Sequence, residues 1–306
     1  MYERIKDSRA IPAHNLPPPP TPFIGREEEL AKLRRYLANP DCRLLTVSGL
    51  GGIGKSRLAL QAAGSVAAET ARFFLHGVWF ISLVGVESAE LLVSAIANAL
   101  NLAFHGQTPA KTQLLNYLRE KEMLLLLDNY EHLLPQTGLL SRILVQAPAV
   151  KLLVTSRQRL NLREEWLFEL EGLPYPIGDE AGVDREQLQT FSAVRLFESS
   201  ARRAHRYVPL AEVRQDVIRV CQLVGGLPLA LELAASRLRT LTCAAPLSIA
   251  AVKEVTRATV ALDVEACYAL MRSGKLEAYE QMLNSEDAKE GPKAFAEKRE
   301  PVWQGK

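Results

Sequence analysis

Eight residues constrain this chain more than any others. Gly49-Leu50-Gly51-Gly52-Ile53-Gly54-Lys55-Ser56 satisfies the pattern G-x-x-x-x-G-K-[ST]. Its four glycines let the backbone curl so that successive N–H groups converge on one anion, where a side chain would intrude. The apolar run Arg43–Ser48 before the glycines reads as a buried strand. The Ala- and Leu-rich stretch from Lys55 to about Arg72 reads as a helix, whose positive N-terminal end points at the same anion. A strand, a glycine loop and a helix in that order call for an α/β fold. The phosphate cradle is expected to comprise Gly49, Gly51, Gly52, Ile53, Gly54, Lys55, Ser56 and Arg57. Lys55 would reach the β and γ phosphates of a nucleotide, and the Ser56 hydroxyl would ligate Mg²⁺.

Strand and helix signals alternate on both sides of this loop. Leu30, Leu33 and Leu37 predict a surface helix over Glu27–Leu37. A strand is expected within Phe73–Leu83, then helices over Ser88–Leu102 and Lys111–Glu120. Met123–Leu127 is a run of five apolar residues, a strand buried on both faces. A helix near Leu139–Val145 leads to a further strand at Lys151–Thr155. This alternation predicts a parallel sheet flanked by helices, the P-loop NTPase fold. Beyond Pro176 the signal is helical, over Thr190–Ala204, Ala211–Val224 and Pro228–Leu241. The expected organisation is a Pro-rich leader or linker over 1–22, a nucleotide-binding α/β domain over 23–176, a small helical subdomain over 177–243 and a helical tail over 244–306.

A phosphate loop needs a carboxylate for its metal. Asp128 ends the Met123–Leu127 strand, at the C-terminal edge where α/β sheets collect their ligands. It would hold Mg²⁺ through water, opposite Ser56. The following position, where a hydrolytic site commonly carries a second acid, is Asn129, and the next acid is Glu131. An amide cannot accept a proton, so binding with slow turnover is expected. His132 lies nearby and reads as a structural hydrogen-bonding residue rather than a catalytic one.

Charge and cysteine content exclude other classes. Thirty-seven Lys and Arg against thirty-five Asp and Glu leave a formal charge of +2, so no basic footprint for nucleic acid is visible. Cys42, Cys221, Cys243 and Cys267 form no CxxC pair, which argues against a zinc site and suits a reducing compartment. The longest stretch free of Asp, Glu, Lys and Arg, Leu91–Ala110, is broken by Asn98, Asn101, His105, Gln107 and Pro109. It is an amphipathic helix plus loop rather than a membrane span. Met1–Asn15 is charged throughout and lacks an apolar signal core, so a cytoplasmic location is expected.

Further segments carry a family resemblance. Phe23-Ile24-Gly25-Arg26-Glu27-Glu28-Glu29 resembles the h-h-G-R-E-x-E motif that precedes the nucleotide fold of signal-transduction ATPases with numerous domains (STAND). Leu152-Leu153-Val154-Thr155-Ser156-Arg157 resembles their sensor strand, and Gly225-Gly226-Leu227-Pro228-Leu229-Ala230 their G-L-P-L-A motif. The order covers about 22–242 and is similar to the NB-ARC-type domains of bacterial AfsR/LuxR-type regulators. The resemblance implies an ATP/ADP-binding switch with Mg²⁺. Backbone at Ile24 and Gly25 would line the adenine and ribose, and Arg26 would be a cation at the mouth of the site. Arg157 would read the γ-phosphate, and Pro228 would present a rigid apolar face to the nucleotide. Lys55, Asp128 and Arg157 would then carry any catalysis.

After Thr242 that pattern stops. Ser285–Gly291 and Phe295–Trp303 resemble the C-terminal helices of enoyl-CoA hydratase (crotonase) proteins, over about 244–306. The hydratase core that would supply an oxyanion hole and catalytic acids is replaced here by the phosphate-loop segment. A competent hydratase is therefore not expected. The expected partners are nucleotide and, through the nucleotide-binding domain or the tail, further copies of the chain. The alternatives are a fusion remnant that no longer switches and, behind it, a protein related to acyl-CoA hydratases.

Overall fold

Leu44–Ser48 (β1), Met123–Asp128 (β3) and Val150–Ser156 (β4) are almost continuously apolar, and their central residues are buried. Such strands are stable only with both faces covered, which a parallel sheet between helices provides. A computed structural model describes residues 14–69, 74–177, 185–204, 210–242, 246–259, 264–299 and 301–305. Among these, Val78–Ser82 (β2) and Glu165–Glu169 (β5) complete a sheet of order β2-β3-β4-β1-β5. Every pairing is parallel.

Alternation along each strand divides the core into two layers. Leu125 and Leu127 of β3 and Leu152 and Val154 of β4 face one layer. That layer is completed by Ala89–Ala99 (α3), Ala110–Arg119 (α4) and Gly138–Gln146 (α5). Leu124, Leu126 and Leu153 face the other, together with Glu27–Ala38 (α1) and Lys55–Glu69 (α2). The expected strands and helices are present, with ends that differ from the sequence reading by a few residues. The predicted end of α2 near Arg72 lies outside the described residues.

Three features escape the sequence reading. The strand β5 was not among the predicted elements, because Glu165, Trp166 and Glu169 make it read as a polar edge. Tyr130–Gln136 forms a 3₁₀ turn between β3 and α5. The described part of the Pro-rich segment, from His14 on, touches β2 and the core. His14 bridges to Val78, and the Asn15 side chain both donates to Phe80 O (2.9 Å) and accepts from Phe80 N (2.6 Å). These bonds cover part of the exposed edge of β2, and Leu16 packs onto the core.

The helical part comprises Arg185–Leu188 (α6), Ser192–Ala204 (α7), Leu210–Leu223 (α8) and Pro228–Thr242 (α9). It continues through Pro246–Thr259 (α10), Val264–Met271 (α11), Glu277–Leu283 (α12) and Glu286–Ala296 (α13). Two compact units result, one of residues 1–196 with 211–231 and one of residues 197–210 with 232–306. In the second unit α10 and α12 pack together, and α12 meets α13. No helix among the described residues is long and apolar enough to cross a membrane.

Candidate nucleotide site

The phosphate loop links β1 to α2, and its shape needs glycine at two points in particular. Gly49 has φ +149°, and a Cβ there would meet Leu170 O at 2.7 Å. Gly52 has φ +75°, and a Cβ there would meet Leu229 Cβ at 2.8 Å. The second contact brings the G-L-P-L-A segment against the loop, where Leu229 N donates to Gly52 O at 3.2 Å. Pro228 Cγ lies 3.9 Å from the position a Cβ on Gly54 would take. Ile53 is buried in the core and anchors the loop from below.

Lys55, Ser56 and Arg57 open α2 and are each half-buried. Lys55 Nζ donates to Gly49 O (2.9 Å) and Leu50 O (3.0 Å), so the ammonium lies over the loop. Burial lowers its pKa from the ordinary lysine value, Glu131 and Asp128 act to raise it, and Arg157 adds to the lowering. Lys55 therefore lies within the electrostatic reach of Glu131, Arg157 and Asp128. Arg57 points elsewhere: its guanidinium bonds Thr21 O (2.7 Å) and Pro22 O (2.5 Å), fastening the incoming segment to α2.

Asp128 stands at the end of β3, where Thr155 Oγ1 donates to its Oδ1 at 2.6 Å. The same Thr155 oxygen accepts from Asn129 N at 2.9 Å. Thr155 is buried, so its hydroxyl relays one backbone donor to the carboxylate and fixes its orientation. In the sequence Thr155 reads only as a strand residue, and its hydroxyl in an apolar strand is the available signal. Arg157, two residues on, pairs through Nε with Glu131 Oε1 at 3.0 Å. A Cβ on Gly51 would lie 3.8 Å from Arg157 Cζ, so this guanidinium stands beside the loop.

Arg26, expected as a cation at the mouth of the site, is 6% exposed and adopts φ 70° at the start of α1. It bonds Glu29 Oε1 (2.8 Å), Ile53 O (3.3 Å) and Glu171 O (2.5 Å). The physical reason is that backbone carbonyls converge there and an Arg fork can satisfy several at once. It ties the motif to the loop. Its neighbour Gly25 is buried (φ +71°), and a Cβ there would meet Ser192 Oγ at 2.5 Å. Ile24 is half-buried next to it. His132 is exposed.

The donor set fits a magnesium nucleotide. Ammonium, hydroxyl and backbone N–H groups suit phosphate oxygens, and hard carboxylate and hydroxyl oxygens suit Mg²⁺. Among the described residues, no cluster of three or more His, Cys, Asp or Glu could hold a metal by itself. Such a site shares its cation with phosphate and water, as Mg²⁺ sites commonly do.

Residues 22–213 match the profile of the AAA ATPase domain. The chain belongs to this family. As an AAA ATPase domain it has curated relatives in mycobacteria. An uncharacterized protein of Mycobacterium tuberculosis is 33% identical over 224 residues, which are 72% of this chain and 52% of that protein. A protein designated an HTH-type transcriptional regulator of the same organism is 30% identical over 210 residues, 68% of this chain and 21% of that one. The chain thus spans about half the length, or less, of these relatives. Separately, 62 residues are 60% identical to a carnitinyl-CoA dehydratase of Citrobacter koseri, covering 20% of this chain and 24% of that enzyme. Among solved structures, the Walker-type ATPase of Pyrococcus abyssi aligns at 17% identity with a TM-score of 0.46, over 78% of this chain and 77% of that one.

Proposed function

We propose that this AAA ATPase domain is an ATP/ADP-binding switch module of a STAND-type regulator, with slow Mg²⁺-dependent hydrolysis. The observation that carries the reading is the position of Arg157, beside the phosphate loop at Gly51 and paired to Glu131. A guanidinium there can bond a γ-phosphate that ATP has and ADP lacks, and so make the site respond to which nucleotide it holds. Lys55 and the loop N–H groups bind the phosphates, while Ser56 and Asp128 hold Mg²⁺, which supplies charge neutralisation. Ile24, Gly25 and Pro228 border the base and sugar. Likeness to a protein designated a transcriptional regulator supports a signalling role.

Calorimetry with Mg-ATP and Mg-ADP tests this directly. Both should bind, and Lys55→Ala should weaken Mg-ATP by at least about a hundredfold, since it removes a charge-assisted contact to phosphate. Equal affinity in that variant sinks the site assignment. Asn129 in the place of a second acid makes turnover slow, and a kcat above about 10 s⁻¹ contradicts the switch reading.

A further inference from the structure

Glu131 carries a feature that phosphate binding leaves unexplained. After Asp128 the chain passes through Asn129 in the left-handed region (φ 70°) and enters the 3₁₀ turn Tyr130–Gln136. That turn brings the next carboxylate, Glu131, within the electrostatic reach of Lys55, on which it acts more strongly than Asp128 does. One of its oxygens accepts from Arg157 Nε at 3.0 Å. The other, Oε2, is shielded from solvent and has no hydrogen-bond partner among the described residues. A carboxylate oxygen can only accept, and leaving such a group buried without a donor is unfavourable. Structures retain that cost where a ligand or water brings the donor. Asn129 cannot fill the role, because its amide takes up no proton.

We propose that Glu131, held by its ion pair with Arg157, is the catalytic carboxylate of ATP hydrolysis in this chain. The proposal rests on the reading of the site as one for Mg-ATP. In the step, the water oxygen forms a bond to the γ-phosphorus while the bond from that phosphorus to the β–γ bridging oxygen breaks. The electron pair of the broken bond leaves on ADP. The water proton passes to Glu131 Oε2 and from there to solvent, giving ADP, inorganic phosphate and one proton. The route through a residue three positions beyond Asp128, shared with an exposed arginine, accounts for slow turnover without loss of the reaction.

The test uses the full chain, measuring the Mg-ATP dissociation constant by calorimetry and the single-turnover hydrolysis rate for wild type, Glu131→Gln and Glu131→Asp. Glu131→Gln keeps the shape and removes the base. It should bind Mg-ATP within about threefold of wild type and hydrolyse it at least about tenfold more slowly, the lower end of what a general base contributes. Glu131→Asp, which keeps a carboxylate, should hydrolyse faster than Glu131→Gln. A smaller fall in Glu131→Gln, loss of its ATP binding, an Asp variant no faster than the Gln variant, or no hydrolysis by a wild type that binds Mg-ATP each overturns the assignment of Glu131. Failure of the wild type to bind Mg-ATP at all overturns instead the reading of the site on which it rests.

Discussion

The sheet unit and the C-terminal helical segment from Pro246 onward keep their folds by different means. In the sheet unit, Leu44, Leu124, Leu126, Leu152 and Leu153 are fully buried, and two apolar layers sandwich the strands. In the C-terminal segment the buried apolar side chains among the described residues are Ala251, Leu276 and Ala294, while Val252, Tyr268, Leu283 and Val302 stand exposed. Polar clamps do much of the holding there. Asp287, almost fully buried, accepts from Gln304 N (2.7 Å) and Gly305 N (2.9 Å). Glu290 accepts from Arg299 Nη2 (3.0 Å) and Val302 N (2.9 Å). Ser285 Oγ accepts from Ala288 N (3.1 Å) and so caps α13. Apolar burial is additive and insensitive to pH, whereas a few charged hydrogen bonds are local and titratable. The first construction can hold a strained loop in place; the second is vulnerable one residue at a time.

The largest effect should come from the sheet. Leu153→Ala removes a fully buried side chain from one of the two layers and should destabilise the unit by about 3 kcal/mol, measured by chemical denaturation. A loss below about 1 kcal/mol would break the contrast, because the layer would then not be closely packed. Next is Asp287→Ala, which leaves two backbone donors without their carboxylate and should loosen the C-terminal segment by about 2 kcal/mol. Limited proteolysis should then cut within 264–305 sooner than in wild type, with Mg-ATP affinity unchanged. Resistance equal to wild type would show that the clamp contributes little.

The smallest effect sharpens the comparison through pH. Hydrogen bonding from Arg299 lowers the Glu290 carboxyl from 4.5 to about 2. The unfolded chain therefore binds this proton first as pH falls. The clamp's contribution is complete above pH 4.5 and disappears as pH falls through 2. Because Arg299 is exposed and Glu290 only half-buried, the loss is small and screened by salt. Proteolysis of the C-terminal segment should rise from pH 4.5 downwards and respond less to acid in Glu290→Gln; identical acid profiles for the two proteins would remove Glu290 from the account.

Much of the sheet unit was legible because its signals are local. Gly49 to Ser56 states its own geometry, since four glycines, a lysine and a hydroxyl are needed at fixed spacing. Met123–Asp128 announces a buried strand and a carboxylate at its end. The polar edge strand β5 and the 3₁₀ turn after Asn129 were not legible, because the first depends on β1 beside it and the second on one backbone angle. The partners of Arg26 are not legible in any window of sequence. Only the carbonyls of Ile53 and Glu171, 27 and 145 residues away, turn it inward.

The sequence by itself determined the glycine loop that runs into Lys55 and Ser56, the buried strand that ends in Asp128 and the parallel α/β plan, because these follow from spacing and periodicity. Tertiary structure alone decided that Thr155 orients Asp128, that Arg157 stands beside Gly51, and that Glu131 keeps one oxygen buried and unpaired. Those relations join β3, β4 and the loop across the sheet, and no local pattern encodes a hydrogen bond between residues that only the parallel pairing of strands makes neighbours.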